Sequence, residues 1–256
     1  MFLSISRKII VIIILLLVNL ESLQAEIIKI GISHSIPPYV IKEENRGIEL
    51  EILQTAFTFS NHEVVPVYLP LARTFSKLSS GQIDGTINIR EGVVKNVFYT
   101  PVVIRFNNCA ISLKKKKYPD TISIDFLKDK HVLAFQRART LLGDEFREMA
   151  EDNEHYYEYA HQANQVYRLF LERDADLIVL ERRIFDYLRK KVRNEIGNKA
   201  NEPVRFHYLF PPTEYKFAFR ERGIRDDFNK GLETIVKNGT YQKILQKYTD
   251  TTEPLK

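Results

Sequence analysis

The chain of 256 residues contains one cysteine, Cys109, so no disulfide can form within it. Cys109 sits in the apolar stretch RFNNCAISL and reads as a small buried residue rather than a reactive thiol. No cysteine directly follows the first apolar run, which argues against a lipid-anchored form. After residues 9–18 there is no further apolar run long enough to cross a bilayer. The six histidines are scattered, with no pair four apart on a helix and no cysteine support. A metal site is therefore not expected, even at His34 beside the first strand. No Ser-His-Asp layout, phosphate loop or Cys-His pair appears, and no cofactor is expected. The net charge of +5 is spread along the chain, which argues against nucleic acid as a dedicated partner. The one basic cluster, Lys114 to Lys117, precedes the turn signal YPD and reads as a solvated loop.

What is present begins with an export pattern. Arg7 and Lys8 form a basic start, residues 9–18 are unbroken and apolar, and NLESLQA comes next with small Ala25 as the expected cleavage point. The apolar run is short for a membrane span and suits a secretion signal over residues 1–25. An exported, unanchored chain without disulfides is expected in a bacterial periplasm. The apolar content of 44% is ample for a core.

Along the rest of the chain strands and helices alternate. IIKIGIS reads as a buried strand, and Gly47 precedes a helix with Ile52, Leu53, Ala56 and Phe57 on one face. EVVPVYL alternates as a strand, and Pro66 puts it at a sheet edge or bulge. Leu71, Phe75 and Leu78 recur at helical spacing up to Gly81. Residues 98–113 are long, apolar and extended. The pattern then restarts with strand HVLAF, a helix over TLLGDEFREM that Thr140 could cap, and strand HYYEYA. Next come a helix through Val166, Leu169 and Phe170, strand ADLIVL, the basic helix RRIFDYLRKKV, strands VRFHYLF and YKFAFR, and two closing helices separated by Gly239. The tail TDTTEPLK carries no such pattern. Such alternation favours parallel sheets with helices on both faces, and in such sheets ligands sit beyond the carboxyl ends of the strands.

One unit occurs twice. SSGQIDGTINIR and LERDADLIVLER each run from a helix end through a polar turn to an acid, Asp84 or Asp176, and then a hydrophobic strand. Both acids begin their strands, so they are assigned turn and cap roles. Two such units imply two similar lobes with a cleft between them. With IPPYV, LARTFSKLSSGQIDGTI, FYTP, DFLKDKHVLAF, LERDADLIVLE and FNKGLETIVKNGTYQKILQKY in this order, the chain resembles the extracytoplasmic solute-binding proteins of family 3. No single motif is strong; their order and spacing carry the likeness, over nearly all of residues 26–248.

The resemblance implies an α/β, two-lobe type II periplasmic binding protein fold. Each lobe would be a mostly parallel sheet flanked by helices, with two hinge crossover strands between lobes. Residues 26–106 and 208–256 would form the first lobe and residues 107–207 the second. It also implies site residues. Amino-acid-binding members clamp the ligand carboxylate with an arginine ahead of an element here written FYTP; it would fall near Gly92, where it is absent, and Arg90 is the nearest substitute or else a solvated strand-end charge. Counting from Asp176, the acid that binds a ligand's ammonium group would be Glu181, which could instead pair with Arg182 or Arg183 on the surface. Arg137 and Arg139 replace the family's small residues after the first strand of the second lobe, with Thr140 as cap and donor. The two arginines suit an anionic ligand group or pairing with Asp144 or Glu145. Tyr39 stands where the family has an aromatic lid, Arg73 begins a helix within reach of the cleft, and Asn88 ends a strand.

Three functions are compatible with this reading. The first is a monomeric periplasmic binding protein for a small polar or charged solute, amino-acid-like or an organic anion, serving an ABC transporter permease or a membrane sensor. The second is an enzyme on the same scaffold, resembling cyclohexadienyl dehydratase, with Glu181 as candidate general acid. The third is a sensory or adaptor protein whose cleft no longer binds amino acids, which the missing arginine would support. The first is the expectation, without enzymatic activity.

Overall fold

The computed structural model describes residues 25–32 and 35–248. The export pattern at Arg7, Lys8 and residues 9–18, His34, and the terminal residues from Thr249 lie outside the described residues. Eleven strands and eight α-helices alternate among the described residues. In chain order they are β1 (Glu26–Ile32), α1 (Ile48–Phe57), β2 (His62–Tyr68), α2 (Leu71–Ser79), β3 (Gly85–Ile89), β4 (Phe98–Tyr99), β5 (Ile104–Phe106) and β6 (Asn108–Leu113). The second half continues with β7 (Val132–Phe135), α3 (Ala138–Leu141), α4 (Asp144–Asp152), β8 (Tyr156–Tyr159), α5 (Gln162–Leu171), β9 (Leu177–Glu181) and α6 (Arg182–Ile196). It closes with β10 (Val204–His207), β11 (Thr213–Phe219), α7 (Arg222–Lys237) and α8 (Thr240–Tyr248). Among the described residues no helix is long and apolar enough to cross a membrane.

Two sheets result. The first has the order β2-β1-β3-β11-β4, with β5 also paired to β11; the second has the order β10-β6-β9-β7-β8. The expected parallel pairing holds for β1 with β2 and β3, and for β7 with β8 and β9. The remainder is antiparallel, so both sheets are mixed. The cause is connectivity. A strand that enters a sheet from the other lobe, such as β6 or β11, runs against the strands built by local strand–helix–strand units. The chain changes sheet between Phe106, in β5, and Asn108, in β6, and changes back after His207, between β10 and β11. Pro66 lies on the edge strand β2, opposite Ile30, where its missing N–H costs no ladder bond on the outer side.

The first lobe's core is aromatic. Phe228 of α7 packs against Phe57, Phe217 and Phe219 with ring centroids 5.6, 5.2 and 5.5 Å away. Truncating such a ring to Ala costs about 3–5 kcal/mol. Helices α1 and α7 approach closely at Gly231, where a Cβ would collide with the carbonyl of Ala56. Cys109 is fully buried, as the sequence implies, and burial pushes its thiol up.

The repeated acids do the same work twice. Asp84 donates its N–H to Lys29 O (2.8 Å), and its carboxylate accepts the N–H of Lys29 (2.8 Å). Asp176 donates to His131 O (2.9 Å) and accepts the N–H of His131 (3.1 Å). Each acid therefore clips its strand to the parallel neighbour, β1 or β7, at the end away from the cleft. Asp176 also holds Lys116 Nζ (2.9 Å) and the Tyr118 hydroxyl (3.2 Å). Two of the clustered lysines are thus not free in solvent: Lys116 pairs with Asp176 and Lys115 with Glu172 (2.7 Å), within the short 3-10 turn Lys114–Lys116. Burial opposes the charge on Asp176, but Lys116, the His131 N–H and Tyr118 outweigh it and hold the carboxyl below its usual range.

Candidate functional site

A cavity of about 720 Å³ opens between the two sheets, where the carboxyl ends of β3, β7 and β9 converge with β5, β6 and β11. Four of the eight sequence-predicted residues line it: Asn88, Arg90, Arg137 and Glu181. The other four, Tyr39, Arg73, Arg139 and Thr140, do not.

On the first lobe, Asn88 is the last residue but one of β3, and its φ of 55° lies in the left-handed region that Asn tolerates better than most residues. Its amide nitrogen donates to Glu49 Oε2 (2.9 Å). Glu49, near the start of α1, is fully buried, and its other oxygen has no partner among the described residues. Burial pushes its carboxyl up to about 8, against the opposing pull of the Asn88 hydrogen bond, so it is largely protonated and uncharged at neutral pH. Arg90 follows β3 exposed in the cleft, its guanidinium 6.0 Å from the ring centre of Tyr215 on β11. No helix follows β3; the chain instead turns through residues 91–96.

On the second lobe, β9 passes directly into α6, and Glu181 is both the last strand residue and the helix N-cap. Its Oε2 accepts the N–H of Ile184 (2.9 Å) and its Oε1 the N–H of Asn107 (3.2 Å). Glu181 is 2% exposed, and burial raises its carboxyl despite the nearby Arg183 and these bonds. Arg183, also buried, donates through Nη1 to the Tyr39 hydroxyl (3.2 Å) and to Arg105 O (3.2 Å). The alternative of a surface ion pair gives way to an interior cluster, with Arg182 turned instead to Asp186 (3.0 Å).

Tyr39 belongs to this cluster and is not a lid. Its ring is fully buried and stacked on Phe106 (centroids 4.0 Å apart), behind the cavity wall, and burial raises its phenol. Arg73 is exposed but lies off the cavity, because α2 turns Leu71 and Phe75 towards it; these two are one helical turn apart, and Arg73 is on another face. Thr140 does not cap a helix. The expected single helix is split: α3 has Arg137 as its N-cap, Thr140 lies inside it, and Gly143 at φ 102° starts α4. Arg139 turns outward to Glu158 (3.3 Å) and stacks over Tyr156, so its partner is neither Asp144 nor Glu145. Glu158 also accepts the backbone N–H groups of Arg137 (2.7 Å) and Arg139 (3.0 Å), which anchors the loop that presents the Arg137 side chain. Burial opposes the Glu158 charge, yet these bonds hold its carboxyl below the usual range.

Sequence reasoning missed three further features. The start of α5 faces the cavity through His161, Gln162 and Ala163, and no side chain caps it. Leu71, Val93 and Leu141 line the cavity while 38%, 51% and 40% exposed. Glu49 carries a buried carboxyl directly behind Asn88. No group of three His, Cys, Asp or Glu among the described residues could hold a metal ion.

No curated protein sequence matches the chain. Solved structures do. An ancestral cationic amino acid solute-binding protein aligns over 90% of this chain and 98% of its own, with 15% identity and a TM-score of 0.68. The second substrate-binding domain of a putative amino acid ABC transporter from Streptococcus pneumoniae aligns over 87% and 99%, with 19% identity and a TM-score of 0.64. A histidine kinase sensor domain similar to periplasmic binding proteins aligns over 90% and 99%, with 18% identity and a TM-score of 0.62. These likenesses concern the fold: two mixed sheets flanked by helices. The model of one family matches residues 28–251, which spans both sheets and every wall of the cavity. The chain belongs to the bacterial extracellular solute-binding proteins, family 3.

Proposed function

We propose that the protein is a periplasmic solute-binding protein that captures a small molecule between its lobes for ABC-type uptake or for sensing. The observation that carries this reading is the cavity itself: its walls come from both sheets, beside the two points where the chain crosses between them. A solute that touches both walls favours the closed arrangement by its differential affinity for it. An enzyme on this scaffold is less well supported. A general acid needs a proton to deliver and a free path to the substrate, whereas both oxygens of Glu181 are engaged by backbone N–H groups.

Thermal-shift screening against amino acids, organic acids, polyamines and short peptides tests the reading, because a ligand of the folded state alone raises the melting temperature. X-ray scattering on each hit should show a smaller radius of gyration. A hit that leaves the scattering curve unchanged, or a blank across the whole panel, would remove the reading. Product formed from a dehydratable cyclic acid would favour the enzyme instead.

A further inference from the structure

Taking that reading as its basis, we infer that the cleft is built for an organic anion with an apolar body, such as a 2-oxo acid, and not for a zwitterionic amino acid. The charge on the walls points one way. Arg90 from the first lobe and Arg137 from the second both line the cavity, and neither has a carboxylate partner among the described residues. The uncapped start of the ten-residue α5 joins them, and unpaired N–H groups at a helix start favour an anion. A guanidinium can hold a carboxylate through two parallel hydrogen bonds.

The opposite charge is scarce. Among the described residues Glu181 is the one carboxylate on the cavity wall, and each of its oxygens already accepts a backbone N–H. Its charge also faces the buried Arg183. Behind Asn88, Glu49 is protonated by burial and offers no charge either. An α-ammonium group entering this cleft would have to share Glu181 with two backbone N–H groups and the nearby Arg183 charge, while facing Arg90 and Arg137, and would be poorly compensated for its lost hydration. Much of the remaining wall is apolar, beside polar uncharged groups such as Asn108, Gln136 and Thr213. Leu71 and Val93 face Leu141 and Phe135 across the gap. Leu71, Val93 and Leu141 are among the most exposed large hydrophobic side chains of the described residues, and such clustering marks a binding surface. The carboxylate would sit between the arginines and the α5 start, with the hydrocarbon against these side chains.

Matched pairs that differ only at the α-carbon separate the alternatives: 4-methyl-2-oxopentanoate against leucine, and phenylpyruvate against phenylalanine, titrated calorimetrically. The oxo acids should bind at least about tenfold more tightly than their amino acids, and Arg90→Ala and Arg137→Ala should each weaken them by about tenfold. Leu141→Ser should weaken phenylpyruvate without restoring phenylalanine. Amino acids that bind as tightly and shrink the radius of gyration would overturn this inference while leaving the binding-protein reading intact. No binding from either series, nor from the wider thermal-shift panel, would overturn both.

Discussion

The carboxyl ends of β3 and β9 are matching places in the two lobes, yet one supplies a cation with no carboxylate partner among the described residues and the other a committed acid. Both strands are preceded by a clipping aspartate, Asp84 or Asp176, and both point into the cleft. After β3 the chain turns without forming a helix, so Arg90 has no structural duty beyond its approach to Tyr215. After β9 the helix α6 begins at once, so the last strand residue must cap it, and Glu181 does. The contrast teaches that position at a strand end is not enough to assign a ligand role. The next element of the chain, turn or helix, decides whether the last side chain of the strand is available.

The contrast can be tested first where it is largest. Glu181→Ala should cost about 3–5 kcal/mol in urea denaturation, because Arg183 would be left as a buried charge without its acid. Arg90→Ala should change stability by no more than about 0.5 kcal/mol, as is usual for an exposed side chain. Equal costs would erase the distinction between the two strand ends.

The first lobe buries a carboxyl behind the cleft, Glu49, where the second has Glu181 on the wall itself. Glu49 has a folded pKa of about 8 against an ordinary 4.5, so the folded state keeps a proton that the unfolded state releases. Its contribution to stability therefore declines as pH rises from about 4.5 to about 8, by up to ~1.4 kcal/mol per pH unit, and levels off above that. Glu49→Gln should remove this slope, so the variant gains on the parent in denaturation series run from pH 6 to pH 9. Parallel curves would mean that Glu49 is ionised in the folded protein. The smallest effect compares the clips. Asp176→Ala should cost about 2 kcal/mol and Asp84→Ala about 1 kcal/mol, since Asp176 also serves Lys116 and Tyr118. Reversed costs would show that the added partners contribute nothing.

The repeated unit was legible because it is local: helix stop, polar turn, acid and apolar strand succeed one another in sequence, and the acid's partners are backbone groups of the adjoining strand. The mixed sheets were not legible, because the direction of β6 and β11 depends on a crossing between lobes that no local pattern records. Glu181 could have been read more fully. The stretch LIVLERRI leaves no turn residue between strand and helix, so its acid had to be the N-cap. Tyr39 and Arg183 gave no such signal, since they meet across 144 positions. Leu71 and Phe75 were correctly placed on a helical stripe with Leu78, but only Leu78 is fully buried; Phe75 packs on that core and also lines the cavity, and Leu71 is exposed there. Periodicity tells that a face is apolar, not whether protein or ligand will cover it.

The grip of Arg183 on Tyr39 and on the carbonyl of Arg105 has a mechanical meaning. Pulling these groups apart would strand a guanidinium in an apolar interior, so a swinging motion of the halves has to keep them together. In the closure proposed above, the axle would then pass through the first crossing point, and the greatest travel would fall on the rim farthest from it.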